Sequence, residues 1–252
     1  MRRIFISICT VLTLFSCSKY VAVTQINTKN TTVGVGVAEI DPMAEKLLKP
    51  FRDSIDHDMK KFVCSSSTPL VKGKPESKLS NLVTDIILDY AKAYCSENRT
   101  DVHPDAAYVN YGGLRASLPQ GEITVGHIFE LMPFENEIVL IKISGVAIQQ
   151  MAAKIAARGG EGVANLKLGI RKNEVSSLVI GGKPVDPNAS YWLATNDYIA
   201  NGGDQMSMFI NPIEKIETKA KIRDMLVRTL TDRYKKTGVI DVKEDGRIYN
   251  EQ

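Results

Sequence analysis

Apolar residues recur at helical spacing over residues 41–62, where Met43, Leu47, Leu48, Phe51, Ile55, Met59 and Phe62 share one stripe. That period predicts an amphipathic helix, with Asp41 as N-cap and Pro42 at its first position. A loop, CSSSTPLVKGKPESK, separates it from a second helix, LSNLVTDIILDYAKAYC, whose Leu79, Leu82, Val83, Ile86, Ile87, Tyr90 and Ala91 again make one apolar stripe. AAYVN then reads as a short buried strand broken by YGG, and a helix runs from after Thr124 to before Pro133. EIVLIKI is a strand of seven residues. Ser144 caps the next helix, which stops at Gly159-Gly160. Strands follow at NLKLGI and VSSLVI, and the turn GGKPVDPNAS leads into a strand at YWLAT. A last helix is expected from about Thr218 to Lys236, ending at Gly238. Helices and strands alternate without strict βαβ order, which predicts an α+β fold, a layered α/β domain with a mixed sheet.

The N-terminus breaks this pattern. Arg2 and Arg3 precede a short apolar run, IFISICTVLTLF, too short to span a bilayer as a helix. The run ends in LFSC, which resembles a bacterial lipobox. Residues 1–16 are therefore expected to be a lipoprotein signal peptide, with Cys17 lipidated and the mature chain exported and anchored on a bacterial membrane, at a periplasmic face or the cell surface. Residues 18–32 lack periodicity and are rich in Thr, Asn and Lys, so 17–32 reads as a tether. Residues 33–252 form the expected domain, with a first strand expected at VGVGVAEI. Losing the two leader arginines takes the net charge from +3 to about +1, which argues against nucleic-acid polymers as partners. Beyond Cys17 only Cys64 and Cys95 remain. Sequence leaves open whether they pair or stay as thiols.

Candidate chemistry gathers in short polar stretches: PESKLSNLVTD, VNYGGLRASLPQGEIT, LMPFENEIVLIKISG and ATNDYIANGGDQM. Asn110 and Arg115 bracket one Gly-Gly pair, and Tyr198 and Asp204 bracket another. Phe134 follows Pro133, with Asn136 two residues on. Two rings, an arginine, two asparagines and a carboxylate suit a nucleoside: rings stack on a base, a carboxylate accepts from ribose hydroxyls, and a guanidinium forks onto phosphate. The same residue types also make plain turns, and an aromatic after proline is often a core plug. On the residues alone both readings stand.

Six motifs in order resemble the C-terminal, substrate-binding domain of the 5'-nucleotidase/UDP-sugar hydrolase family: ESKLSNLVTD, NYGGLR, GEIT, PFEN, GKPVDP and YWLATNDYIANGGDQ, spread over about residues 70 to 210. The resemblance implies that Phe134 and Tyr198 are stacking rings. It makes Asn110, Asn136 and Asp204 polar contacts to base and ribose, and Arg115 the positive contact. The chain departs from the family pattern where arginines usually precede Glu76. Here the segment is VKGKP, offering Lys72 and Lys74 instead, and Tyr111 replaces a glycine.

In the family, hydrolysis belongs to a separate domain that binds two metals. This chain has only His57, His103 and His127, and no GNH-type motif. DHD at 56–58 lies on the polar side of its helix. No cofactor is expected in this chain, which alone is expected to be inactive. Divalent metals are expected in a partner metallophosphoesterase subunit of a split 5'-nucleotidase. The alternative is a non-catalytic, nucleoside-binding surface lipoprotein.

Overall fold

The structure, a computed structural model, describes residues 25–30 and 41–251. The expected leader, Cys17, most of the tether and the expected strand at VGVGVAEI lie outside the described residues. The chain divides into two units, residues 1–48 and 49–252. No described helix is long and apolar enough to cross a membrane.

The first helix, α1 (Pro42–Met59), forms where the periodicity places it, and Asp41 Oδ1 accepts from the Met43 amide at 2.8 Å. None of its residues is buried, and Met43, Leu47, Phe51 and Ile55 are exposed. The helix stops short of the predicted Phe62, which instead opens strand β1 (Phe62–Ser66). That ring meets Tyr234 edge-on, with centroids 5.1 Å apart. Helix α2 (Lys78–Asn98) is capped by Ser77, whose hydroxyl accepts from the Ser80 amide. Strands β2 (Ala106–Val109) and β3 (Gly121–Thr124) follow, and β3 pairs antiparallel with β1. Next come α3 (Val125–Leu131), β4 (Glu137–Ser144) and α4 (Gly145–Ala157), the last capped by Ser144 as predicted. Short strand β5 (Gly162–Ala164) precedes β6 (Leu166–Arg171), β7 (Glu174–Ile180), β8 (Lys183–Pro184) and β9 (Ser190–Asn196). The chain closes with α5 (Asp197–Ala200), β10 (Glu214–Lys221), α6 (Ile222–Thr237) and β11 (Ile248–Asn250).

The central sheet has the order β10-β4-β9-β2-β5, with β9 and β2 parallel and the other pairs antiparallel. A second sheet runs β11-β6-β7-β8. Both faces of the central sheet are covered, which is why EIVLIKI is apolar at nearly every position. Ile138 and Leu140 of β4 join a core with α2, α3 and α6, whereas Val139, Ile141 and Ile143 join another with α4 and the second sheet. The fold is the expected α+β layering with mixed sheets.

The last helix starts at Ile222, not near Thr218, because residues 214–221 are an edge strand. Its Lys and Glu residues guard the open edge of the sheet.

Cys64 and Cys95 are both free and buried. Burial pushes the Cys64 thiol up to about 11 and also raises that of Cys95. A thiol reagent at pH 8 is therefore expected to leave both unmodified in the native protein and to label both in denaturant, as read by mass spectrometry.

Candidate functional site

Strand directions bring the predicted residues to one edge of the central sheet. Because β2 and β9 are parallel, their C-terminal ends point the same way. Strand β4 runs antiparallel to β9, with Ile138 opposite Asn196, so its N-terminal end arrives at the same edge. Asn110 leaves β2 there, Asp197 and Tyr198 leave β9, and Phe134 and Asn136 lead into β4. Loops at such converging strand ends are where layered α/β folds hold ligands.

All six predicted residues, Asn110, Arg115, Phe134, Asn136, Tyr198 and Asp204, line one cleft of about 350 Å³ together with Gly112 and Gly113. Three other clefts, of about 550, 470 and 420 Å³, are larger. None of the three has a Phe, Tyr or Trp ring in its lining, whereas the smaller cleft joins two such rings to convergent polar groups, which makes it the better candidate. Phe134 and Tyr198 are half exposed at its mouth, at 50% and 49%.

Asp204 is the hub. Asn110 Nδ2 donates to its Oδ2 at 2.5 Å, and the Tyr198 hydroxyl donates to its Oδ1 at 3.0 Å. The turn that presents it is left-handed at Gly202 (φ 89°), Asp204 (φ 49°) and Gln205 (φ 63°). Gly203 is required for a different reason: a Cβ there would stand 2.5 Å from Tyr198 Cε1. The glycine thus lets the ring lie against the backbone while its hydroxyl reaches the acid. Asn110 is 4% exposed, yet its Oδ1 has no partner among the described residues. A Cβ at Gly113 would press to 2.8 Å of that oxygen.

Asn136 Nδ2 donates to Asp197 Oδ1 at 2.8 Å, an oxygen that also accepts from the Tyr198 amide at 2.9 Å. Sequence reading missed this Asp197 brace, although the residue lies inside the quoted ATNDYIANGGDQ stretch. Arg115 makes one long hydrogen bond, from NH1 to the Gly112 carbonyl at 3.4 Å. Beside it stand the lysines of VKGKP: Lys72 Nζ and Lys74 Nζ lie 3.9 and 4.9 Å from the Tyr111 ring centroid. Lys72 also donates to the Leu114 carbonyl at 2.7 Å. Burial, then Arg115 and Lys74, lower its pKa. A basic cluster therefore borders the cleft on the Arg115 side.

The PESKLSNLVTD stretch has another job. Glu76 accepts from Asn81 Nδ2 at 2.5 Å and from the amides of Asp245 and Gly246 at 2.8 and 2.9 Å. Asp85 pairs with Arg247. These side chains fasten the C-terminal segment, and none of them lines the cleft.

Among the described residues no group of three or more His, Cys, Asp or Glu side chains could hold a metal ion. His57 sits in the last turn of α1, and His127 Nδ1 accepts from the Thr124 amide at 3.1 Å.

Comparison with known proteins gives these features a lineage. Residues 63–211 match the model of the family described as 5'-nucleotidase, C-terminal domain. Protein UshA of Yersinia enterocolitica is 30% identical over 169 residues, covering 65% of this chain and 30% of that protein. A probable 5'-nucleotidase of Treponema pallidum is 33% identical over 119 residues, covering 40% of this chain and 20% of that one. The chain thus spans less than a third of the length of these curated relatives. The crystal structure of a 5'-nucleotidase precursor from Thermus thermophilus shares the fold, with a TM-score of 0.70 at 24% identity over 82% of this chain and 43% of that one. With the family match running over more than half of its length, the chain belongs to the 5'-nucleotidase C-terminal domain family.

Proposed function

We propose that the chain is the nucleoside- or nucleotide-binding component of a split 5'-nucleotidase, and that a separate metallophosphoesterase subunit supplies the divalent metals and the hydrolytic chemistry. The observation that carries this reading is the cleft itself: two half-exposed rings line it together with a carboxylate pre-oriented by Asn110 and Tyr198. A base fits between rings at roughly 1–3 kcal/mol per stack. Ribose hydroxyls supply the donors that Asp204 takes up, and a ligand donor gives the buried Asn110 Oδ1 the partner it lacks. Arg115, with Lys72 and Lys74 behind it, supplies positive charge for a phosphate. The Treponema pallidum relative bears the name probable 5'-nucleotidase, and this chain corresponds to a fraction of it. Export and anchoring through a lipidated Cys17 complete the proposal, placing both subunits at a bacterial membrane surface.

Binding energy from the nucleoside would hold the phosphate for attack at the partner's metals. Adding this chain to the metallophosphoesterase is expected to raise AMP hydrolysis on the order of tenfold or more over that subunit alone. Equal rates with and without it, alongside measurable adenosine binding by calorimetry, would leave the second reading, a non-catalytic nucleoside-binding lipoprotein. The pinning of Lys72 to the Leu114 carbonyl favours that alternative, because it leaves fewer free donors for phosphate.

A further inference from the structure

We propose that Glu161 is a positioning residue: acting through Arg158, its carboxylate fixes the left-handed turn that carries Asp204, and so tunes the grip on the ligand's sugar. This rests on the nucleoside reading of the cleft. Glu161 lies between Gly160 and Gly162, immediately before β5, and is 6% exposed. A carboxylate at such a depth costs desolvation unless it is paired. Two groups pair it. The buried Tyr108 hydroxyl donates to Oε2, and Arg158 NH1 lies 3.3 Å from Oε1.

The same guanidinium reaches the site. Arg158 NH2 donates to the Asp204 carbonyl at 2.5 Å. Arg158 thus spans from the buried acid to the backbone of the cleft's hub, a geometry that suits a planar fork. The turn needs that restraint, since Asp204 and Gln205 both hold left-handed φ without being glycine, a conformation that a Cβ disfavours. Asn110 and Tyr198 grip Asp204 by its carboxylate, on the ligand's side. Arg158 grips it from behind, by its carbonyl. The Arg158 side chain is itself 27% exposed, so without its counter-charge solvent competes for it. The charged and titratable groups facing Glu161 are Tyr108, Arg158 and Asp204. Its carboxyl is raised above the ordinary glutamate value mainly by burial, with Tyr108 and Arg158 opposing that rise and the Asp204 charge adding to it. Lys74 holds the other end of the arrangement by donating to the Arg158 carbonyl.

The test compares two ligands on the full chain by calorimetry: adenosine, and 2',3'-dideoxyadenosine, which lacks the 2'- and 3'-hydroxyls. E161Q keeps an acceptor for Tyr108 and removes the charge that holds Arg158. It is expected to weaken adenosine about tenfold while changing dideoxyadenosine less than about twofold. R158A, at a partly exposed position, carries the same comparison should E161Q fold poorly, and is expected to give the same split. Equal losses on both ligands, or none on either, would overturn the proposal while leaving the nucleoside cleft standing. Failure of the unmodified protein to bind either ligand would sink the cleft reading and this inference with it.

Discussion

Tyr198→Ala is expected to weaken adenosine binding by about 100-fold, Phe134→Ala by about tenfold, and Tyr198→Phe by only a few-fold. The asymmetry comes from what each ring does. Phe134 offers one stacking face at the cleft mouth and nothing polar. Tyr198 offers a face and also orders Asp204, because its hydroxyl donates to Oδ1 and accepts from the Asp204 amide at 3.2 Å. Truncation to alanine removes both the stack and the hydroxyl contacts, leaving the carboxylate to Asn110 alone, whereas Tyr198→Phe loses the hydroxyl contacts but keeps the stack. Both rings are half exposed, so thermal unfolding of all three variants should stay near that of the parent. Calorimetry with adenosine checks the order of the three values. Equal losses for Tyr198→Phe and Tyr198→Ala would assign the effect to the hydroxyl alone. Undiminished binding in both alanine variants would rule out a base held between the rings.

The parts legible in the sequence were those whose information is local. The Ser77 and Ser144 caps, the apolar stripe of α2 and the continuous apolar run of β4 each announce themselves within one window. The six cleft residues were legible because they stand in ordered motifs at converging strand ends. What stayed hidden depends on distant partners. Strand β10 reads EKIETKAK, a charged stretch whose strand state is set by pairing with β4, Glu214 opposite Lys142. Strand β1 was concealed because Phe62 continues the helical stripe of α1, and its pairing partner Thr124 lies far along the chain. Glu161 and Arg158 carry no motif, and their link to Asp204 exists only once the chain ends of α4 and β9 meet. Glu76 and Asn81 show the opposite failure: conspicuous residues in a recognisable motif that serve the C-terminal segment, not the cleft.

That segment supplies the largest expected loss of stability. Arg247→Ala should cost about 2–3 kcal/mol, somewhat below the roughly 3–5 kcal/mol lost when a fully buried ion pair is broken. The Arg247 side chain is only 13% exposed and forks twice: onto Asp85, with bonds of 2.6 and 3.2 Å, and onto Asp245, with bonds of 2.9 and 2.8 Å. NH1 also donates to the Val163 carbonyl at 2.9 Å, so one side chain joins α2, β5 and the approach to β11. Asp85 and Asp245 keep 40% and 55% exposure, and water therefore takes over part of their pairing when the arginine is lost, which holds the cost below that of a fully buried pair. Lysine should not rescue, having no planar fork to serve two carboxylates. The acid dependence has a definite sign. Arg247 holds Asp245 below its ordinary value of 3.8, so this aspartate's share of stability is complete above about that pH and is lost as pH falls through the lowered, folded-state value. The gap between parent and Arg247→Ala in urea unfolding should accordingly be widest near neutral pH and narrow toward pH 3. A gap under about 1 kcal/mol at pH 7, or one that does not narrow in acid, would mean that the C-terminal segment is held by the Glu76 contacts and β11 pairing without help from this arginine.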